Sequence, residues 1–271
     1  MAATSDKRAA FRQLHEAGCF VMPNPWDAGS AVMFQRLGFK ALASTSAGMA
    51  WAMGRPDGAV SLDEVLLHLN LLAHATDLPV NADFENAFAD APEDVARNVA
   101  LAVDTGVSGL SVEDYTGHAD KGLYDFNLAV ERVAAARQAI DRAGGGVLLT
   151  ARSEGFLRGA PDMDATLKRL AAFAEAGADC LYAPGMRSEE QVRTICEACA
   201  PKPVNILSAG LPVEVMAKAG ARRISLGGSL AAVAFGTAYL AAQEIAEKGT
   251  FSAIVSTAPG RPPLNPIFAG S

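Results

Sequence analysis

One local pattern recurs along this chain: a helical segment ends, a glycine follows, and an apolar strand begins. The glycines at this position are Gly18, Gly38, Gly106, Gly177 and Gly220. A glycine just past a helix end adopts the left-handed backbone that stops a helix without strain. Short apolar runs bounded by turn residues are typical of buried strands. The pattern therefore predicts an α/β chain in which helices and strands alternate.

Eight strands fit this alternation. They cover residues 19–23, 41–46, 79–84, 109–113, 147–152, 180–183, 203–207 and 223–226. An open doubly wound sheet more often carries a glycine-rich phosphate motif after its first strand, whereas that position here reads PNPWDAGS. Eight strand–helix units in 271 residues predict a (β/α)8 TIM barrel over residues 1–250. Residues 251–271 are rich in Pro and Gly and are predicted to form a tail outside the barrel.

The composition excludes some classes of partner. A formal net charge of −7 argues against binding to nucleic acid or to an anionic membrane. The longest apolar stretch, residues 230–242, is shorter than the roughly 18 residues that a membrane span needs. No basic segment followed by an apolar one stands at the amino end, so we expect a cytoplasmic location. Cys196 and Cys199 form a Cys-x-x-Cys without a second pair or a nearby histidine, and we interpret them as buried thiols.

Acidic residues and one arginine follow three successive predicted strands. Asp83 and Glu85 stand at the end of the third strand, Glu113 ends the fourth, and Arg152 with Glu154 stands at the end of the fifth. The carboxyl ends of parallel strands point into one shared mouth, where barrel enzymes hold their reactive groups. Carboxylates that converge there repel one another, and oxygen ligands alone favour Mg2+ or Mn2+. We predict a divalent metal site; the alternative for any single acid is a solvated loop residue.

Polar groups at other strand ends favour an oxygen-rich anion as the ligand. Thr45 and Ser46 end the second predicted strand, and Asn205 lies in the seventh. Together with Arg152, these hydroxyl and amide groups predict a site for a small carboxylic acid that binds through the metal.

Two loops are long enough to cover this mouth and exclude water. Residues 47–57 follow the second strand and end at Asp57, and residues 115–125 follow the fourth and contain Tyr115 and His118. Of the four histidines, only His118 is a candidate for catalysis, and a solvated histidine on a lid is the competing interpretation.

On these motifs the chain resembles the isocitrate lyase/phosphoenolpyruvate mutase superfamily over about residues 11–246. NPWDAGSA is similar to the family's Asn-x-Trp-Asp opening, and STSAG followed by GRPD is similar to its substrate-binding loop and outer acid. ADFENAF stands where the family has Asp-x-Asp-x-Gly-Tyr-Gly. VED resembles its Leu-Glu-Asp, and TARSEGFLRG resembles its Ala-Arg-x-Glu-Ala-Phe.

The resemblance implies a role for each matched position. Asp83 would bind Mg2+ directly, and Asp57, Glu85 and Glu113 would hold its water molecules. Substrate contacts would come from Thr45, Ser46, Ala47, Asp83, Arg152 and Asn205, the last facing a second carboxylate. The resemblance also implies a homo-oligomer, a dimer or a tetramer, in which the last barrel helix, at about residues 229–248, is domain-swapped between subunits.

Departures from the family pattern lie in the lid. Family lyases carry a Lys-x-Cys-Gly-His lid with a catalytic cysteine, and this chain has YTGHADKGLYD instead. Family mutases carry Glu-Asp-Lys, and Tyr115 replaces that lysine. Relatives carry His or Glu where Pro184 follows the sixth strand, and their Gly-Tyr-Gly after the metal acids has become Ala87, Phe88 and Ala89. The resemblance thus implies a retained scaffold and metal chemistry with altered proton-transfer groups.

Taken together, these features predict a Mg2+-dependent carbon–carbon lyase or decarboxylase that acts on a small 2-oxo or 2-hydroxy acid through an enolate. The predicted catalytic residues are Arg152, Glu113, Tyr115 and His118. Tyr115 or His118 is the candidate acid that protonates the enolate, in competition with bound water. The alternatives are a phosphoenolpyruvate mutase or other phosphonate-bond enzyme and a non-catalytic 2-oxo-acid binding protein.

Overall fold

The computed structural model describes residues 2–208, 210–257 and 260–269, and it contains one sheet of eight parallel strands. The strands are β1 (Phe20–Met22), β2 (Leu42–Ala43), β3 (Val80–Asp83), β4 (Gly109–Glu113), β5 (Leu148–Arg152), β6 (Cys180–Tyr182), β7 (Val204–Leu207) and β8 (Arg223–Ser225). Consecutive strands pair from β2 through β8, and β8 pairs with β1. The N–H of Ala43 donates to the carbonyl of Pro23 at 3.1 Å, which links β2 to β1. The prediction of a (β/α)8 barrel is confirmed.

Helices fill the connections between the strands and surround the sheet. They are α1 (Thr4–Leu14), α2 (Ala28–Arg36), α3 (Ser46–Ala52), α4 (Leu62–Ala75), α5 (Pro92–Asp104), α6 (Phe126–Arg142), α7 (Met163–Glu175), α8 (Glu189–Cys199), α9 (Val213–Lys218), α10 (Ser229–Lys248), α11 (Ser252–Thr257) and α12 (Leu264–Phe268). In the part of the chain that is described, no helix is long and apolar enough to cross a membrane.

The glycine pattern acts as expected. Gly177 (φ 103°) and Gly220 (φ 107°) have the left-handed backbone that ends the preceding helix, as do the other three glycines of the pattern. The second predicted strand is too long, however. It ends at Ala43, because Thr45 caps the helix α3 by accepting a hydrogen bond from the N–H of Gly48.

Apolar side chains fill the space between the sheet and the helices. On α5, Val95, Val99 and Val103 face the buried side of the helix, as their spacing predicts. The amino end of the barrel is closed by Phe11 of α1, whose ring packs edge-on against the rings of His15 and Phe20. The carboxyl end is therefore the open end of the barrel.

The carboxyl-terminal helices carry apolar side chains that this chain leaves uncovered. Ala231 is the only fully buried side chain described in α10. Val233, Tyr239 and Leu240 on that helix are each more than 60% exposed (65%, 68% and 65%). The tail contains α11 and α12, and the ring of Phe268 in α12 lies beside Gly29 of α2.

The four cysteines are free thiols, and three of them are buried. Burial raises the pKa of Cys196 and of Cys199 to about 12. Both thiols therefore stay protonated and unreactive at neutral pH. This agrees with the interpretation of the Cys-x-x-Cys as part of the core.

Candidate active site

A cavity of about 490 Å3 opens at the carboxyl end of the barrel. The predicted site residues that line it are Thr45, Ser46, Ala47, Asp57, Asp83, Glu85, Glu113, Tyr115, Arg152 and Asn205. They come from the ends of five strands (β2, β3, β4, β5 and β7) and from the loops that follow them, which are far apart in the sequence. His118 is the exception: it is exposed on the 115–125 loop and does not line the cavity, although its neighbour Gly117 does.

Arg152 lies at the centre of the acidic groups. Its Nη1 donates to Oδ1 of Asp83 at 2.6 Å, and its Nη2 is 3.2 Å from Oε2 of Glu113. Its Nε and Nη2 both donate to Oε1 of Glu154, at 3.0 and 2.8 Å. The three carboxylates hold the pKa of Arg152 well above its usual value, although burial opposes this. One guanidinium thus bridges the ends of β3, β4 and β5.

The acids of the mouth are not fully compensated by nearby positive charge. Burial, with repulsion from Asp83 and Asp57, raises the pKa of Glu85 to about 7. Burial also raises the pKa of Glu113 well above its usual value, because Arg152 offsets only part of the cost. Burial first, and then the negative charge of neighbouring acids, therefore raises the pKa of both carboxyl groups and favours their protonated forms.

This donor set fits Mg2+. Every candidate ligand is a carboxylate oxygen, and a cation would relieve the repulsion that raises the pKa of Glu85. Among the described residues, no group of three acidic, histidine or cysteine side chains stands ready to hold a metal directly. Mg2+ commonly uses one or two carboxylates and keeps several waters. Asp83 as a direct ligand, with the other acids acting through water, meets that requirement.

The second-strand loop is coupled to Asp83. The N–H of Ser46 donates to Oδ2 of Asp83 at 3.1 Å, and the N–H of Asp83 donates to Oγ of Ser44 at 2.8 Å. The first turn of α3 is thereby held beside the predicted metal ligand. Its residues are placed to contact the carboxylate of a ligand bound there.

The loop after β3 has an unusual backbone. Glu85 (φ 47°), Ala87 (φ 58°) and Phe88 (φ 55°) adopt left-handed conformations that favour glycine. Arg132 of α6 is 1% exposed and donates to the carbonyls of Asn86, Ala89 and Asp90. The altered Gly-Tyr-Gly segment thus keeps a glycine-like path.

The 115–125 loop is joined to the site through Arg158. The guanidinium of Arg158 lies 3.9 Å from the ring centroid of Tyr115, and its Nε is 3.3 Å from Oε2 of Glu154. Its Nη2 is 3.7 Å from Oε1 of Glu113. Asp114 points away from the cavity, where its carboxylate accepts from the N–H of Glu154 and pairs with Arg169 at 3.3 Å.

Sequence reasoning missed several groups that line the cavity. Arg158, Tyr182 and Arg223 all do so. Tyr182 and Arg223 lie in apolar strand runs that looked like ordinary core, and alternation along a short strand was their only signal. Arg158 lies beyond the recognised end of β5, in a loop whose path the sequence does not specify.

Comparison with known proteins gives consistent matches. The family model for phosphoenolpyruvate phosphomutase matches residues 11–246. Oxaloacetate decarboxylase from Paraburkholderia xenovorans is 29% identical over 218 residues, which are 77% of this chain and 70% of that protein.

Two solved structures extend the likeness to more than nine tenths of the chain. A protein of Burkholderia cenocepacia J2315, provisionally classed as a lyase/mutase, is 41% identical with a TM-score of 0.92, and the match covers 98% of this chain and 97% of that one. The 2,3-dimethylmalate lyase of the PEP mutase/isocitrate lyase superfamily is 25% identical with a TM-score of 0.82, covering 93% and 90%.

Proposed function

This chain belongs to the phosphoenolpyruvate phosphomutase family, within the isocitrate lyase/phosphoenolpyruvate mutase superfamily of lyases and mutases. We propose that it is a Mg2+-dependent carbon–carbon lyase or decarboxylase that acts on a small 2-oxo or 2-hydroxy acid. The observation that carries the proposal is the excess of carboxylates around Arg152 at the open end of the barrel. Such a cup attracts a divalent cation, and a cation there attracts a chelating acid.

The metal would be held by Asp83 directly and by Asp57, Glu85 and Glu113 through water. Mn2+ is an alternative to Mg2+, since both prefer oxygen ligands. When bound, the ion acts as a Lewis acid that stabilises the negative charge developing on the 2-oxo oxygen as a carbon–carbon bond breaks.

The chain's own groups bind and orient the substrate. Thr45, Ser46 and Ala47 line one side of the cavity and bind the carboxylate next to the 2-oxo group. Arg152 supplies fixed positive charge opposite them, and such preorganised charge is most effective where water is excluded. Asn205 faces the opposite end of the substrate.

A proton must be delivered to the enolate that remains after bond cleavage. Tyr115 and His118 are the candidates on the lid, and the described position of Tyr115 in the cavity wall favours the tyrosine. Arg158 stacks on its ring and keeps the phenol over the site. Glu113, whose Oε2 lies 3.2 Å from Nη2 of Arg152, completes the proposed catalytic set.

We also propose that the barrel, residues 1–250, is one domain whose last helix exchanges between subunits of a dimer or tetramer. The apolar side chains that α10 exposes support this, because a patch of this kind on a monomer is unusual. Light scattering tests it: a homo-oligomer that Leu240→Glu dissociates is expected, and a wild-type monomer would contradict it.

Assays of metal-dependent pyruvate release test the activity. A panel of 2-oxo and 2-hydroxy acids, beginning with oxaloacetate, is incubated with and without Mg2+. Turnover that requires the metal and is lost in Arg152→Met supports the proposal. Formation of phosphonopyruvate from phosphoenolpyruvate would replace it with a mutase. Stabilisation of the protein by ligand and metal without turnover would replace it with a binding protein.

A further inference from the structure

A buried arginine lies beneath the acidic mouth. Arg223 of β8 is 2% exposed, yet it lines the same cavity as Asp83 and Arg152. The interior of a TIM barrel is usually filled by branched apolar side chains. A guanidinium at this depth therefore needs a reason beyond packing.

All the hydrogen-bond acceptors around Arg223 are neutral. Its Nε donates to Oδ1 of Asn205 at 2.9 Å and its Nη2 to Oγ1 of Thr150 at 2.8 Å. Its Nη1 faces Oδ1 of Asn81 at 3.4 Å and Nε2 of His15 at 3.2 Å. No ion pair joins Arg223 to a carboxylate within the ranges that the structure describes.

His15 is neutral as well. Its Nδ1 bonds to the carbonyl of Phe11 at 2.8 Å, so that nitrogen carries the proton and Nε2 accepts from Arg223. Burial, and next the charge of Arg223, lowers the pKa of His15 to about 3. The floor of the cavity thus holds a positive charge without a counter-ion, and burying such a charge unpaired is costly.

The donor count leaves Arg223 able to bind one more group. A guanidinium has five N–H donors, and the acceptors described above take four of them. The remaining N–H is on Nη2. An anionic ligand atom in the cavity would both use this donor and neutralise the charge.

The geometry of β3 sets the depth at which such an anion would bind. Asn81 and Asp83 face the same cavity two residues apart, a rise of about 6.6 Å along a strand. A molecule whose 2-oxo acid end lies beside Asp83 therefore reaches the level of Asn81 and Arg223 with its other end. This separation suits an acid of three or four carbons with an anionic group at the far end.

We propose that Arg223 is a specificity residue that binds the second anionic group of the substrate from inside the barrel. This rests on the proposed function, because the metal and the second-strand loop are assigned the 2-oxo acid end. The ligand would be a 2-oxo acid whose carbon next to the 2-oxo carbon carries a carboxylate or a phosphonate. Asn205 orients the guanidinium, since its Nδ2 donates to Oγ of Ser225 at 3.0 Å while its Oδ1 accepts from Nε.

Three ligands that share one end separate the contributions: 2-oxobutanoate, oxaloacetate and phosphonopyruvate. Stopped-flow tryptophan fluorescence with Mg2+ reads binding before turnover, because Trp51 packs against Gly228 of the cavity wall. The wild type is expected to bind at least one of the two anionic ligands about tenfold or more tightly than 2-oxobutanoate. Which of the two gains identifies carboxylate or phosphonate as the natural group.

Variants assign that preference to Arg223. Arg223→Met is expected to reduce the preference to near unity and to leave the affinity for 2-oxobutanoate within about threefold. Arg222→Met is the matched control, since Arg222 bonds to the carbonyl of Gly18 and does not line the cavity. If Arg223→Met does not fold, Arg223→Lys decides, with a severalfold loss of preference expected because lysine lacks the planar fork.

Each other outcome overturns the proposal. Equal affinities for all three ligands in the wild type, or an unchanged preference in both Arg223 variants, would make Arg223 a structural residue only. In those cases the binding of 2-oxobutanoate with Mg2+ would leave the proposed function standing. If no ligand binds the wild type with Mg2+, the proposed function itself fails and this inference fails with it.

Discussion

The two ends of the barrel bury charge in opposite ways. At the mouth, Arg152 is shared by Asp83, Glu113 and Glu154, and negative charge is in excess. At the floor, Arg223 is surrounded by neutral acceptors, and positive charge is in excess. The cavity between them is thus prepared for a cation above and an anion below. A chelated acid with a second anionic group satisfies both requirements at once.

The largest effect is expected from removing the shared charge at the mouth. Arg152→Met leaves three buried or partly buried carboxylates without their guanidinium and should lower the free energy of unfolding by about 3–5 kcal/mol. Urea denaturation without divalent metal measures this. Arg193→Met is the control, because its pair with Glu189 is about half exposed and contributes no more than about 1 kcal/mol. Equal stability of the two variants would show that Arg152 does not offset the repulsion among the carboxylates of the mouth.

The pH dependence of stability tests the floor. His15 has a folded-state pKa of about 3, below the unfolded value of about 6.5, because burial and the nearby Arg223, Arg222 and Arg12 disfavour its charge. Between these two pKa values the unfolded chain binds a proton at His15 that the folded chain does not. The contribution of neutral His15 to the free energy of unfolding is therefore fully present above pH 6.5 and is lost as the pH falls towards 3. Between pH 6.5 and 4 this loss is on the order of 3 kcal/mol.

Comparison with His15→Gln isolates this contribution from that of the acids. The variant should show a shallower fall in the free energy of unfolding between pH 6.5 and 4 than the wild type. Parallel curves for the two proteins would mean that burial and the neighbouring arginines do not hold His15 neutral in the folded protein.

A smaller effect is expected from the hydrogen bonds that Arg132 donates to the loop after β3. Arg132→Met removes the donors to three carbonyls and should cost about 2–3 kcal/mol, because buried carbonyls are left unpaired. If these hydrogen bonds position the metal site, the Mg2+ affinity of the variant falls as well. A loss of stability with unchanged Mg2+ affinity would restrict Arg132 to a structural role.

The smallest effect concerns the backbone at the mouth. Ala87→Gly relieves a left-handed conformation and is expected to stabilise the protein by up to about 1 kcal/mol, after the greater entropy of the unfolded chain is counted. Ala89→Gly is the matched control, because Ala89 has no positive φ and glycine there should destabilise. Thermal melts of the two variants that shift in the same direction would contradict the idea of strain at Ala87.

The sequence predicts the barrel and the convergence of acids at its mouth, for physical reasons. Helix-ending glycines and strand composition are local signals, and acids at strand ends converge in any closed parallel barrel, as Asp83 and Glu113 do. The floor was not predicted. Arg223 and Asn81 become neighbours only through barrel closure, and no local pattern distinguishes an inward arginine in a strand of three residues from its outward neighbour. The pattern likewise predicts strand at Thr45, where α3 is capped, because capping competes with extended backbone over two or three residues.

Titration of Mg2+ into the protein, followed by calorimetry, tests the central claim most directly. The wild type is expected to bind Mg2+, and Asp83→Ala is expected to weaken binding by about tenfold to a hundredfold. Asp94→Ala removes an acid whose side chain is 43% exposed on α5, outside the cavity, and should leave the affinity unchanged. Equal Mg2+ affinity in the wild type and in Asp83→Ala would contradict a metal site in the mouth of this barrel.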